Sequence, residues 1–354
     1  MLKQLALLDQ GCRDVLVHCP IAAFGYRAAD GISRTTFIGG TPGFVRVRSD
    51  TRFTFSLNES AAPQGPASFF FLMPGIGEVL RVNGSVVARK GAHATVEIDQ
   101  VYVHCAQAVL RARLWQPPVP TAATAVEVEG RGPLSRPVVA QFLAASPFLA
   151  LSTWDRCGGS DTSPRGDRQA VARMLNGHTL AIPDRRGNKR ADALHNLVQD
   201  DRLSFAALVP GRSGVLHGRG RGSITDDHTL LETVALRGVV PHAALLIDVE
   251  DAEVVDNDAV VRSRLWTSDA LVDRRAVPDL MALVGKQVAT TTDGRRPGPL
   301  LKAIDKLPGA GRMWRLGMNH VYRVGLRKEG YEDIEKRTEG RRFLRRRRRH
   351  RTSS

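Results

Sequence analysis

Four short segments of this 354-residue chain recur, in the same order, further along it. Cys19-Pro20-Ile21-Ala22-Ala23-Phe24 matches Ser146-Pro147-Phe148-Leu149-Ala150-Leu151 at an offset of 127 residues, and Thr54-Phe55-Ser56-Leu57-Asn58-Glu59 matches Thr179-Leu180-Ala181-Ile182-Pro183-Asp184 at 125. Leu72-Met73-Pro74-Gly75 with Val79-Leu80 matches Leu208-Val209-Pro210-Gly211 with Val215-Leu216 at 136. Arg111-Ala112-Arg113-Leu114-Trp115 matches Arg262-Ser263-Arg264-Leu265-Trp266 at 151. Chance supplies one such match but hardly four collinear ones, so the chain reads as one unit written twice. The modules are residues 1–118 and 134–270. A Pro- and Ala-containing linker over 119–133 joins them, and an extension over 271–354 follows.

Each module reads mainly as strands. Residues 45–48 and 52–57 alternate in period two, and 68–73 is an apolar run ending at Pro-Gly. Residues 79–88 then read as the return strand of a hairpin. Many short strands with Gly-rich turns favour a closed barrel, because closure removes edges. Helices are few: 138–146, 104–114, and 188–200 with Asn188 as N-cap. The last has no counterpart in the first module. In the second module, Leu216-His217-Gly218-Arg219-Gly220-Arg221-Gly222 departs from a strand pattern.

The formal net charge is +15, but residues 341–354 hold eight arginines and no acid. The body is therefore only mildly basic, and nucleic acid is expected to be attracted non-specifically, through the tail. Hydrophobic content of 42% excludes a disordered chain. Cys12, Cys19, Cys105 and Cys157 lack CxxC spacing, so neither a disulfide scaffold nor a metal site is expected. The apolar run at the N-terminus is too short for a secretory signal, and the uncharged stretches 60–77 and 137–154 are interrupted by prolines. These features point to a cytoplasmic protein with no membrane span.

Two polar clusters of the second module carry the candidate chemistry. Asp161-Thr162-Ser163-Pro164-Arg165-Gly166-Asp167 follows one strand; Asp184-Arg185-Arg186-Gly187-Asn188-Lys189-Arg190 follows another and opens a helix. Backbone N–H groups at a helix start, with four cationic side chains, suit a phosphate. An ordinary solvated basic turn is the competing reading. His217 is read as a packed or surface residue, and Trp115 and Trp266 as core residues.

The segments FLALST (148–153), DTSPRGD (161–167), TLAIPDRRGNKRADALHNL (179–197) and LVPGRSGVL (208–216) resemble the flavin-nucleotide-binding branch of the pyridoxamine 5′-phosphate oxidase superfamily. In the first module LMPGIGEVLRVNGSV (72–86) and RARLW (111–115) resemble its pairing strand and C-terminal helix. The resemblance implies a mainly β fold: two tandem six-stranded antiparallel split β-barrels with a few helices, forming an intrachain pseudo-dimer. It implies FMN as cofactor, with Arg165 near the phosphate and the backbone of Ile182, Pro183 and Asp184 along the flavin. Asn188, Lys189 and Arg190 would grip the phosphate, with Ser163 nearby. A haem or a deazaflavin is open in the same cleft. The first module has Phe37-Ile38-Gly39-Gly40 and Glu59-Ser60-Ala61-Ala62-Pro63-Gln64-Gly65-Pro66 in place of these clusters and lacks their cations. A single FMN site is therefore expected, with its phosphate grip from the second module and its opposite wall from the first.

Two functions follow as expectations. One is an FMN-dependent oxidoreductase acting on a small-molecule substrate or electron donor; the other is a non-catalytic flavin-nucleotide carrier or redox-sensing module. Further association into a homo-oligomer is left open. Residues 271–340 carry no interpretable motif.

Overall fold

Backbone pairing repeats the duplication strand for strand. The computed structural model describes residues 5–57, 62–118, 126–187, 190–289 and 310–331. The first half contributes β1 (Ile21–Ala28), β2 (Ser33–Gly39), β3 (Arg46–Ser49), β4 (Arg52–Ser56), β5 (Pro63–Leu72), β6 (Val79–Lys90) and β7 (His93–His104). The second contributes β8 (Phe148–Trp154), β9 (Ser160–Gly166), β10 (Arg173–Met174), β11 (Thr179–Pro183), β12 (Arg202–Leu208), β13 (Gly214–Thr225) and β14 (Ala244–Asp256). The sheets run β2-β1-β5-β6-β7-β4-β3 and β9-β8-β12-β13-β14-β11-β10, the same order once each strand is paired with its mate seven places on. The molecule is two tandem antiparallel split barrels. Each has seven paired strands, one more than expected, because the short β3 and β10 add to the edge.

The repeat extends to irregularities. Asp99 and Glu250 are each the unpaired residue of a bulge, beside Gly84 and Gly220. A Cβ at Gly84 would run into the Glu97 carbonyl oxygen, and one at Gly220 into that of Asp248, so both bulges demand glycine. The pairing also corrects one sequence alignment. Thr54 lies opposite Thr95 and Ala181 opposite Leu246, so Thr54 is equivalent to Ala181 and not to Thr179.

The glycine-rich segment after Leu216 is paired throughout as part of β13, contrary to expectation, with the one bulge at Gly220. Gly218, Gly220 and Gly222 all face inward, and Gly218 leaves room for the Phe205 ring.

Alternation divides the apolar side chains between three cores. Phe24, Phe69 and Phe71 fill the first barrel, and Leu149, Leu151 and Phe205 the second. Ile21, Ala23, Phe70 and Leu72 point the other way and meet their equivalents Phe148, Ala150, Ala206 and Leu208 between the barrels. Strands buried on both faces read as continuous apolar runs, as 68–73 does. Trp115 and Trp266 pack at this shared core, and their Nε1 atoms donate to the carbonyls of Ile76 and Leu114.

Helices are short. α1 (Gln10–Leu16), α2 (Gln107–Arg111), α3 (Pro137–Ala145), α4 (Asp192–Gln199), α5 (His228–Thr233) and α6 (Asp258–Ser263) belong to the duplicated body. The segment read as a helix over 104–114 is helical only over α2, because β7 runs on to His104. The extension supplies α7 (Leu280–Ala289) and α8 (Ala310–Lys328), and Leu280, Met281 and Tyr322 sit in the first core. No helix among the described residues is long and apolar enough to cross a membrane.

Candidate functional site

Because β9 crosses the interface onto β5 and β6, one face of the second barrel closes against the first. The space between is a cleft of about 1030 Å³, at the upper end of the usual range for small-ligand sites. Its floor is β9 and the loop after β11. Its wall is Arg81 and His104 of the first half with α2, and its roof is α8.

Of the residues expected at a cofactor, Ser163, Arg165, Ile182, Pro183, Asp184 and Arg190 line this one cleft. Asn188 and Lys189 lie outside the described residues. α4 begins at Asp192 with Ala191 at the N-cap, so the capping role expected of Asn188 does not stand.

The charge state differs from that of an open basic turn. Arg165 is paired with Asp184 at 3.0 Å, Arg185 with Asp167 at 2.9 Å and Arg190 with Asp192 at 2.6 Å. The backbone donors expected to be free are also engaged: the Asp184 N–H bonds the Ala243 carbonyl and the Arg185 N–H that of Pro183. The Arg186 N–H does meet an anion, the carboxylate of Glu329.

Four buried polar atoms in the cleft have no hydrogen-bond partner: Arg81 Nε, Asp161 Oδ2, Ser163 Oγ and Arg165 Nε. Burying such groups unpaired costs about 1–3 kcal/mol each, so clustered orphans mark a place where a ligand completes the bonding. Two guanidinium N–H donors, a hydroxyl and a carboxylate oxygen form a mixed donor–acceptor cradle.

Sequence reading missed the wall. Arg81 and Asp161 form an ion pair across the halves, with side chains 1% and 3% exposed. Burial works against the Arg81 charge, but Asp161 overrides it and keeps the guanidinium protonated. Arg190 stacks over the Tyr102 ring at 4.1 Å, again joining the halves. Half-buried His104, near Arg81, Arg165 and Arg190, is driven well below the ordinary histidine range, first by desolvation and then by these cations. A depressed base is protonated in the unfolded chain before the folded one, so stability should fall as pH drops below that range. Up to one proton is involved, or about 1.4 kcal/mol per pH unit. Urea midpoints between pH 7 and 5 measure the slope, and His104→Gln should flatten it. An unchanged slope in that variant would contradict the assignment.

The symmetry-related position keeps a buried, unpartnered hydroxyl at Thr36 but loses the Arg165 cation and the Asp161 carboxylate. Register places Ile38 where the second half has Arg165, Thr36 where it has Ser163, and Arg34 where it has Asp161. His217, the mate of Arg81, bonds through Nδ1 with the Thr35 carbonyl oxygen at 2.8 Å, a packed residue as expected.

No protein-family model and no curated protein matches the chain. Solved structures do. HupZ of Group A Streptococcus is 16% identical over 31% of this chain and 86% of its own, with a TM-score of 0.26. A conserved hypothetical protein of Mycobacterium tuberculosis is 16% identical over 40% of this chain and 93% of its own, at 0.28. A pyridoxamine 5′-phosphate oxidase-related, FMN binding protein of Nostoc punctiforme is 15% identical over 34% and 83%, at 0.25.

Proposed function

We propose that the cleft binds one FMN per chain and that the protein is an FMN-dependent oxidoreductase acting on a small molecule. The observation that carries the reading is the set of four buried, unpartnered polar atoms in one cleft, two of them on Arg165 and Asp161, whose mates across the pseudo-twofold are Ile38 and Arg34. The residues fit a flavin nucleotide. Arg165 and Arg190, with Asn188 and Lys189 next to Arg190 in sequence, would hold the phosphate. The Ser163 hydroxyl, Arg81 Nε and Asp161 Oδ2 would match a ligand that alternates donors and acceptors, as a ribityl chain and a pyrimidine edge do. Strand backbone at Ile182 to Asp184 would lie along it. When bound, the flavin itself supplies the hydride-accepting chemistry, which is why few reactive side chains are needed.

A second reading, a flavin carrier or redox sensor without turnover, is favoured by one observation: α8 roofs the cleft that a second substrate would have to enter. Reduction of the bound flavin by NADPH or NADH, followed by reoxidation, separates the two.

The purified chain should absorb near 370 and 450 nm, as oxidised flavins do, and release about one FMN on denaturation. Arg165→Ala and Arg190→Ala should each weaken FMN binding by about 10–100-fold, the worth of a charge-assisted hydrogen bond. Ile38→Ala, at the equivalent place in the first half, should leave it unchanged. Two FMN per chain, or equal losses at Ile38 and Arg165, would refute the single-site reading.

A further inference from the structure

The extension that carries no interpretable motif delivers a carboxylate to the loop where an anion is expected. Glu329 is 4% exposed. Its Oε2 accepts from Arg111 Nε at 3.0 Å and Nη2 at 2.6 Å, and its Oε1 accepts from the Arg186 N–H. Arg111 belongs to the first half and Arg186 to the second, and both line the cleft, so the seat joins the two halves. Arg111 Nη2 also donates to the Arg186 carbonyl, a bond that holds the seat together without Glu329. Two residues on, the Tyr331 hydroxyl donates to Asp167 Oδ1 at 2.6 Å, and Asp167 Oδ2 accepts from Arg185.

We propose that Glu329 is an internal plug: its carboxylate holds a seat meant for an oxyanion of the ligand, and the α8–Tyr331 segment must lift for that oxyanion to be seated. The identity of the ligand rests on the flavin reading above; the plug does not. Six arginines and Lys328 line the cleft against four aspartates, an excess of three positive charges, of which Glu329 cancels one. An incoming oxyanion takes over the same three donors, so Arg111 is never left as an unpaired buried charge. Glu329 meanwhile moves to water, where a carboxylate is well solvated. The exchange is therefore close to balanced, the condition for a reversible plug and not for a permanent clip. The mate of Arg111, Arg262, instead donates to the Gly39 carbonyl at 2.8 Å, so the other half builds no such seat.

The test uses the full chain and compares wild type with Glu329→Gln and Tyr331→Phe. Stopped-flow fluorescence follows FMN, which carries a phosphate, and riboflavin, which does not. Glu329→Gln should speed FMN association about tenfold and leave riboflavin unchanged. Equal gains for both flavins, or weaker FMN binding, would overturn the plug. Hydrogen exchange gives a readout that needs no flavin. Inorganic pyrophosphate added to wild type should raise amide exchange over residues 318–331, and Tyr331→Phe should raise it without any ligand. If FMN binds to none of the three proteins, the flavin reading falls and exchange alone decides; protection that pyrophosphate leaves unchanged would overturn the plug as well.

Discussion

Asp161→Ala should destabilise the folded chain by about 3–5 kcal/mol, because it strands the Arg81 guanidinium in the interior. The pair is buried on both sides, and Tyr102, whose hydroxyl also donates to Asp161 at 3.4 Å, cannot replace a carboxylate. Arg81→Met should cost a similar amount for the mirror reason. The double variant Arg81→Met/Asp161→Leu should recover most of either loss, since two apolar groups need no partner. Urea unfolding of the four proteins yields the coupling energy; single losses within about 1 kcal/mol of wild type would show the pair to be solvated. Because these side chains face the cleft, the double variant should fold yet bind FMN poorly, separating stability from ligand recognition.

The second large effect lies on the pseudo-twofold axis. There Ser68 Oγ bonds Thr162 Oγ1 at 2.7 Å, Ser152 Oγ bridges Thr162 and Thr35 at 2.8 Å each, and Thr35 bonds Ser204 at 2.7 Å. Thr35 and Thr162 are equivalent, as are Ser68 and Ser204, so the chain of hydroxyls is symmetric except at its centre. The mate of Ser152 is Gly25, whose added Cβ would overlap Ser152 Oγ and Thr162 Oγ1. Gly25→Ser should therefore cost about 3 kcal/mol, the upper end of ordinary overpacking in a tight core. Ser152→Gly alone should cost about 1 kcal/mol, because both threonines keep their outer partners. The exchange Gly25→Ser/Ser152→Gly moves the bridging hydroxyl to the other strand and should return to within about 1 kcal/mol of wild type. Additive losses in that variant would mean the axis is not a true pseudo-twofold. The asymmetry also shows how the halves came to fit each other and not themselves: two copies of the Ser152 strand would bring two hydroxymethyl groups into space for one.

Legibility followed the range of the interaction. The mainly β character and the hairpin of β5 and β6 were readable, because alternation and turn residues act over a few positions. Ser163, Arg165 and Arg190 stood out as polar residues of two short segments, β9 and the loop after β11, which line one cleft. The neutralising aspartates stood in the same short segments as these arginines. Their pairing was still not evident, because which carboxylate meets which guanidinium depends on how β9 and the loop after β11 lie side by side. The β13 glycines looked like a broken strand because their purpose, room for Phe205, is visible only from the neighbouring strand.

By itself, then, the sequence established a duplicated β unit in which one copy kept a basic cluster and the other lost it. A repeat and a local charge pattern are properties of the chain alone. Tertiary structure decided what those charges meet. Arg81 reaches Asp161 across 80 residues, and Glu329 reaches Arg111 across 218 and Arg186 across 143. Contacts at such separations leave no local period to read, because each partner is chosen by the packing of two barrels and one helix and not by its neighbours in the chain.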